Sequence, residues 1–232
     1  TTTPRAMIFD PLYFLYVGPF MLVALWASAR VKGTFKRYAK VGVRSGMTGA
    51  EAAAAVARAG GAEVTIERVA GFLSDHYDPR TRTLRLSPDV YEGRSISSIA
   101  VAAHEAGHSI QHANNYKALG IRSSLVPVTQ FGSSAWIWVF MGGMMLQIQP
   151  LVTVGIVLFS ATVLFQLVTL PVEFDASRRA KAVLAESGIV TTQEEAEGVS
   201  KVLGAAAMTY VAGALTSIAT LVYLLSRSGS RN

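Results

Sequence analysis

The sequence predicts a mainly α-helical integral membrane protein, with four transmembrane helices and a small α+β domain exposed to water. Two observations carry this prediction. The chain is 51% hydrophobic but only 16% charged, well below the ~25% that is usual in soluble domains. Its uncharged residues also form long runs, at 11–29, 123–172 and 202–226. A buried core helix could explain one such run, but too little polar surface remains to cover them all.

The predicted transmembrane helices cover residues 8–29, 123–147, 151–170 and 202–226. The run from 123 to 172 is about long enough for two crossings of ~20–25 residues each. The segment from Gln147 to Pro150 divides this run and is expected to form a tight turn. Pro11 and Pro19 interrupt the first helix. No basic region precedes that helix and no small-residue cleavage pattern follows it, so we expect a retained anchor and not a signal peptide.

Basic residues cluster directly after the first and third predicted helices. They are Arg30, Lys32, Lys36, Arg37 and Lys40 in the first cluster, and Arg178, Arg179 and Lys181 in the second. Because cytoplasmic loops are enriched in Lys and Arg, residues 30–122 and 171–201 are predicted to lie in the cytoplasm and both termini outside. Membrane lipid is therefore an expected partner, and the net charge of +6 does not indicate nucleic-acid binding. The absence of cysteine excludes a thiol nucleophile, a cysteine zinc site and disulfides.

Local patterns in residues 30–122 predict the small α+β domain. Thr48 and Glu51 have capping-box spacing before an alanine-rich segment, and Gly60-Gly61 is expected to end that helix. The predicted elements are a helix at 50–59, strands at 63–69 and 83–87 with a turn at 78–81, and a helix at 97–113. Leu84 to Ser87 is a candidate free edge for an extended peptide. The alternative is that this strand is only half of a structural hairpin.

Residues 104–108 have the sequence His-Glu-Ala-Gly-His inside the second predicted helix. Residues four apart lie on one helix face, so the imidazoles of His104 and His108 can bind one Zn²⁺ ion. Glu105 lies beside them, and two histidine nitrogens, an open position and a carboxylate are typical of a hydrolytic zinc site. A solvated helix face is the alternative. The small apolar residues around the motif disfavour it, because burying these polar groups without partners costs several kcal/mol.

The third ligand must come from another part of the chain. His112 is the third histidine in successive turns, which span roughly 12 Å, whereas one ion is bound at ~2 Å from each ligand. His112 is therefore predicted to lie outside the metal's direct contacts or at the surface. The longer metzincin pattern also fails, because Gln111 and Asn114 occupy its last informative positions.

Glu173 is the predicted third ligand, because two crossings return the chain to the side on which the histidine helix lies. Asp175 is its competitor, and on a helix the two side chains point about 200° apart. We expect Asp175 to orient a histidine instead, and Pro171 to mark a helix change just before both. The alternative is an interfacial carboxylate that pairs with Arg178 or Arg179.

Five segments resemble the YugP-type neutral zinc metallopeptidases of bacterial membranes. They are Asp75–Pro79, Leu84–Ser87, Val90–Ser95, Ala102–His108 and Leu170–Ser177. The layout is also similar to the HtpX and CAAX-prenyl-protease group of membrane gluzincins, in which a helical hairpin separates the H-E-x-x-H helix from the glutamate. The resemblance implies a gluzincin-like domain, bound zinc and endopeptidase activity. It departs from the wider group at Ser177, where that group has an aspartate.

A gluzincin needs a hydrogen-bond donor for the oxyanion, and His76, Tyr77 and Arg94 are the candidates. For His76 the alternative is a local role in holding the turn. The sequence as a whole favours a zinc endopeptidase of the bacterial cytoplasmic membrane that cleaves peptide or protein substrates at the cytoplasmic face, with a role in membrane-protein quality control. The alternatives are a non-catalytic metal-binding scaffold, which would not need Glu105, and a zinc hydrolase that acts on a lipid amide or ester.

Overall fold

A computed structural model describes residues 10–229, and within them the chain is mainly helical with one small sheet. The helices are α1 Pro11–Tyr38, α2 Gly49–Ala59, α3 Pro88–Tyr91, α4 Ile96–Ala113, α5 Lys117–Leu146, α6 Gln149–Glu186 and α7 Gln193–Gly229; the strands are β1 Thr65–Arg68, β2 His76–Asp78 and β3 Thr83–Leu86. The first predicted transmembrane helix begins at residue 8, and its first two residues, 8 and 9, lie outside the described residues.

Between residues 10 and 229, three helices, α1, α6 and α7, are long and apolar enough to cross a membrane. They include all or most of three of the four predicted spans, so the confirmed part of the prediction is a mainly helical protein with three candidate membrane-spanning helices. The predicted span at 123–147 falls in α5, which is not among these three helices. Glycine, serine, threonine and glutamine lower the hydropathy of α5, and its crossing of the membrane stays a prediction.

Proline residues lie inside the long helices and do not end them. Pro19 lies within α1 and Pro171 within α6, which continues to Glu186. The expected helix change at Pro171 is therefore wrong. A proline removes one main-chain N–H and strains one turn, but here the helical residues on both sides continue the ladder. The basic residues expected after the first helix largely lie within it, since α1 ends only at Tyr38.

The chain divides into two compact units. The span unit comprises residues up to 27, 121–170 and those from 209 onward, and the site unit comprises 28–120 and 171–208. A cluster of buried apolar side chains that includes Phe140, Ile156 and Tyr223 forms the core of the span unit. In the same unit, the buried carboxylate of Asp10 accepts a hydrogen bond of 2.9 Å from the Tyr223 hydroxyl.

The sheet of the site unit has the strand order β1-β3-β2, with β3 parallel to β1 and antiparallel to β2. Thr83–Leu86 is thus the central strand, and the expectation that Leu84 to Ser87 offers a free edge is wrong. Hydrophobicity explains the position, because Leu84 and Leu86 are both fully buried. Among the described residues β2 is an outer strand, and it packs against α4.

The predicted helices at 50–59 and 97–113 and strands at 63–69 and 83–87 are confirmed to within two residues, whereas strand β2 was not predicted. Thr48 and Glu51 form a capping box at the start of α2, and Gly60 follows its last residue. α2 and α4 pack through small apolar side chains, with Ala53 and Ala103 both fully buried. This close packing holds α4 in the core of the unit. Contacts with α2 and with the sheet therefore fix the positions of its side chains.

Candidate active site

Helix α4 carries both histidines of the motif. Its first turn is capped by Ser95, whose hydroxyl accepts a hydrogen bond from the main-chain N–H of Ser98. The rings of His104 and His108 lie one turn apart, with centroids separated by 4.8 Å. The alanines that flank the motif are buried against the rest of the site unit. This packing fixes the rotation of α4 about its axis and therefore the direction in which the two histidine rings point.

Helix α6 brings Glu173 to the two histidines. Its Oε2 lies 3.1 Å from Nε2 of His104 and 3.6 Å from Nε2 of His108. The close approach of the two helices depends on Gly107, since a Cβ atom there would lie 2.5 Å from the carbonyl oxygen of Ala176. The structure therefore brings together the three residues that the sequence proposes as ligands.

The donor set fits zinc. Two imidazole nitrogens and one carboxylate oxygen lie within 4.8 Å of one another, and these are the donors of a catalytic site that keeps a fourth position open. Zinc bonds of about 2.0–2.2 Å in tetrahedral geometry place neighbouring donors roughly 3.3–3.6 Å apart. The distances of 3.1 and 3.6 Å from Glu173 to the two histidines are close to this spacing.

Glu105 is buried beside the cluster, with 9% of its surface exposed. Burial raises its pKa to about 7, the positive charge of a protonated His104 acts against this, and the charges of Glu173 and Asp75 raise it further. A carboxylate with a pKa near neutrality is matched to accepting a proton in one step and releasing it in the next. Glu105 therefore has the properties of a general base.

Glu173 is only 2% exposed, and its charge is stabilised by the histidines. Burial alone would raise its pKa, but the hydrogen bond from His104 and the nearby ring of His108 outweigh burial and hold the pKa well below the usual range. The two glutamates near the histidines thus differ, since one is ionised and paired while the other readily takes up a proton.

A second set of contacts holds the far side of each histidine ring. Nδ1 of His104 lies 3.1 Å from the hydroxyl oxygen of Ser177, and Nδ1 of His108 lies 3.0 Å from Oε1 of Gln111. Asp175 accepts from Nε2 of Gln111 at 2.9 Å and pairs with Arg178 and Arg179. Asp175 therefore reaches a histidine only through Gln111, and it makes the arginine pairing that was the alternative for this region.

The other candidate residues contact partners outside the His-His-Glu cluster. His112 lies 2.8 Å from the hydroxyl oxygen of Tyr77, and both line a cavity of about 400 Å³ beside the end of α4. His76 contacts the carbonyl of Ser74 and is exposed. Arg94 pairs with Glu51 and with the main-chain carbonyl of Gly46. The structure gives these side chains other partners, and the oxyanion role of each stays a prediction.

Sequence reasoning missed Gln111 and Ser177. Gln111 entered only as a failure of the metzincin pattern, and Ser177 only as a departure from the aspartate of related proteins. Both positions carry a helical signal, because Gln111 lies three residues after His108 and Ser177 lies four residues after Glu173. Residues at these spacings share a helix face, so each could have been placed beside a ligand.

Helices long and apolar enough to cross a membrane, the H-E-x-x-H motif on α4 and a glutamate from α6 beside its two histidines are together typical of membrane metallopeptidases. Residues 13–229 match a family described as "Putative neutral zinc metallopeptidase", and the chain belongs to this family. This match confirms the resemblance seen in the five sequence segments.

The chain is also similar to a protein of Bacillus subtilis (strain 168) named "Putative membrane protease YugP". The two are 50% identical over 201 residues, which cover 86% of this chain and 89% of that protein. No solved structure matches this chain.

Proposed function

We propose that this protein is a zinc endopeptidase of the bacterial cytoplasmic membrane that cleaves peptide bonds at the cytoplasmic face. The observation that carries the proposal is the convergence of His104, His108 and Glu173 beside a buried Glu105. Membership of the metallopeptidase family and the similarity to a protein named a membrane protease support it. A protein or peptide substrate follows from that family.

In this proposal, His104 and His108 contribute Nε2 atoms and Glu173 contributes a carboxylate oxygen to the zinc ion. When bound, zinc acts as a Lewis acid that acidifies water and polarises a carbonyl group. The carboxylate of Glu105 accepts a proton from the water that attacks the carbonyl carbon, and it then delivers this proton to the nitrogen of the leaving amine. Burial of Glu105 raises the pKa of its carboxyl, which favours the uptake of a proton that is then passed on. Glu173 would not compete for that proton, because in this proposal its carboxylate is a ligand of the zinc ion.

Strand β2 is the element that we propose for binding an extended substrate. It is an outer strand of the sheet and packs against α4, which carries the histidines. Main-chain hydrogen bonds to a strand edge bind extended peptides with little dependence on side-chain identity. This mode suits unfolded segments, and a role in membrane-protein quality control is the corresponding cellular proposal.

The membrane topology belongs to the same proposal. Four transmembrane helices, with α5 as the fourth, place residues 30–122 and 171–201 on one side of the membrane. The basic clusters after the first and third spans favour the cytoplasmic side. Both parts of the His-His-Glu cluster then lie in the same compartment.

The test measures zinc content and cleavage of a fluorescent unfolded polypeptide by the full chain in detergent. His104→Ala is expected to lose zinc and turnover together. Glu105→Gln is expected to keep zinc and to lose turnover by about 10²–10⁴-fold, the usual contribution of a general base. Glu92→Gln is the matched control, because Glu92 is exposed and pairs with Arg68.

Near-normal turnover in Glu105→Gln would contradict the assigned base. Zinc binding by the wild type without cleavage of any polypeptide would indicate the scaffold alternative, whereas cleavage restricted to a lipid amide or ester would indicate a lipid hydrolase. Each outcome separates binding of the metal from the reaction that follows.

A further inference from the structure

Gln111 is a fully buried polar residue that connects α4 to α6. Its Nε2 lies 2.8 Å from the carbonyl oxygen of Val172 and 2.9 Å from Oδ2 of Asp175. Its Oε1 lies 3.0 Å from Nδ1 of His108. Every polar atom of this side chain therefore has a partner, and the partners belong to both helices that carry the proposed ligands.

The partners of Gln111 determine which way its amide points. Val172 and Asp175 present oxygen atoms that can only accept, so the NH₂ group must face them. The carbonyl oxygen of Gln111 then faces His108 and can only accept. Nδ1 of His108 must be the donor in this contact, which leaves Nε2 as the nitrogen directed towards Glu173.

We propose that Gln111 is a positioning residue that holds His108 as the Nδ1–H tautomer and directs its Nε2 at the metal. Asp175 acts on the metal site through Gln111, because its carboxylate orients the amide. This inference rests on the proposed zinc site, and it assigns a role to a residue that touches neither substrate nor metal.

The two histidines differ in this respect. Nδ1 of His104 faces the hydroxyl of Ser177, which can donate as well as accept, so that contact allows either tautomer. The contact between His108 and Gln111 allows one. His108 therefore has the tautomer required for zinc binding before the ion is bound, whereas His104 can change its tautomer when the ion binds.

Asp175 is itself held in place by charge. Arg178 and Arg179 both pair with its carboxylate, which is 6% exposed. Both oxygens of this carboxylate accept from an arginine, and Oδ2 also accepts from Gln111, so the contacts keep the Gln111 amide from turning over.

The first test reads the tautomer directly in metal-free protein, by ¹⁵N NMR of the histidine ring nitrogens at mildly alkaline pH. The chain has four histidines, so single substitutions assign the signals. In the wild type, Nδ1 of His108 is expected to carry a proton. Gln111→Met has similar volume and no acceptor at this position, and it is expected to shift His108 towards the Nε2–H tautomer. An unchanged tautomer in Gln111→Met would overturn the proposal.

The second test measures zinc affinity. Gln111→Met is expected to weaken zinc binding by about 10–100-fold, the usual effect of losing a partner of a metal ligand. Ser109→Ala is the matched control, since Ser109 is buried on the same helix and its hydroxyl bonds only the carbonyl of Ala106. Equal affinities in the two variants would contradict the positioning role.

A charge swap separates positioning from simple loss of packing. Gln111→Glu keeps an acceptor for His108 but places a second carboxylate beside Asp175, and it is expected to weaken zinc binding. Adding Asp175→Asn supplies an amide that donates to the introduced carboxylate, and it should restore most of the affinity. No recovery in the double variant would contradict the proposal. Since the NMR experiment needs no metal, its result stays informative even if the wild type binds no zinc.

Discussion

Glu173 and Asp175 lie two residues apart on α6 and have different partners. Glu173 contacts both histidines, whereas Asp175 contacts Gln111 and two arginines. A helix turns about 200° over two residues, so the two carboxylates cannot exchange roles without a rotation of the helix. The difference gives a direct test of the ligand assignment.

Glu173→Ala should yield zinc-free protein at ordinary zinc concentrations, because a direct ligand is lost. Asp175→Ala should bind zinc about 10–100-fold more weakly and recover activity when zinc is added. Metal analysis and zinc titration of the purified variants measure both effects. If Asp175→Ala empties the site while Glu173→Ala does not, the carboxylate assignment is reversed.

At the scale of elements, the approach of α4 to α6 depends on the missing side chain at Gly107. Gly107→Ala would raise helix propensity by about 1 kcal/mol, but its Cβ would lie 2.5 Å from a main-chain oxygen of Ala176. We expect net destabilisation of about 1–3 kcal/mol and weaker zinc binding, because the helices that carry the ligands move apart. Thermal unfolding in detergent measures the stability.

Gly204→Ala is the control for that substitution. Gly204 lies within α7, and a Cβ atom there would meet no other heavy atom within 4 Å. This variant should be about 0.5–1 kcal/mol more stable than the wild type. If Gly107→Ala is as stable as Gly204→Ala, the close contact between α4 and α6 does not require glycine at position 107.

The start of α7 gives a prediction on pH. Glu195 accepts hydrogen bonds from the main-chain N–H groups of Arg44, Thr191 and Thr192. Burial would raise its pKa, but these bonds outweigh burial and lower it. A lowered pKa in the folded state means that ionised Glu195 stabilises the fold above its unfolded pKa of about 4.3, and this contribution is lost as pH falls through the folded value.

Glu195→Gln should therefore lower the thermal midpoint at pH 7, by an amount that corresponds to roughly 1 kcal/mol for a lost cap. The difference from the wild type should shrink as pH falls below about 4. Glu197→Gln, at an exposed residue that pairs with Lys201, should show no such trend. If the difference in thermal midpoint between Glu195→Gln and the wild type grew as the pH fell, the lowered pKa assigned to Glu195 would be contradicted.

The sequence pattern predicted the features that depend on residues close together in the chain. It did not predict the features that depend on contacts between distant segments. The spacing of His104 and His108 and the capping box at Thr48 follow from one helical turn. The central position of β3 does not, because strand order depends on which strands meet in space. The spacing of Gln111 from His108 could have placed it beside that ring, but the direction of its amide depends on Val172 and Asp175 in α6.

At the scale of the whole molecule, the proposed topology can be tested by labelling single cysteines, since the chain has none of its own. Ile148→Cys lies between α5 and α6 and should react with a membrane-impermeant reagent added to intact cells. Ser45→Cys lies in the predicted cytoplasmic region and should react only after the cells are opened. Both residues are exposed in the structure. The reverse pattern would invert the topology and leave the proposed chemistry unchanged.

The separation of the ligands along the chain has a consequence for biosynthesis. Glu173 follows His104 by 69 residues, and a ribosome adds about 5–20 residues per second. Glu173 follows His108 by 65 residues, so the nascent chain carries both histidines for roughly 3–13 s before the carboxylate is synthesised. If the proposed site is correct, zinc would have only two of its three protein ligands during this interval, and the proposed activity towards unfolded chains would begin only after α6 has been made.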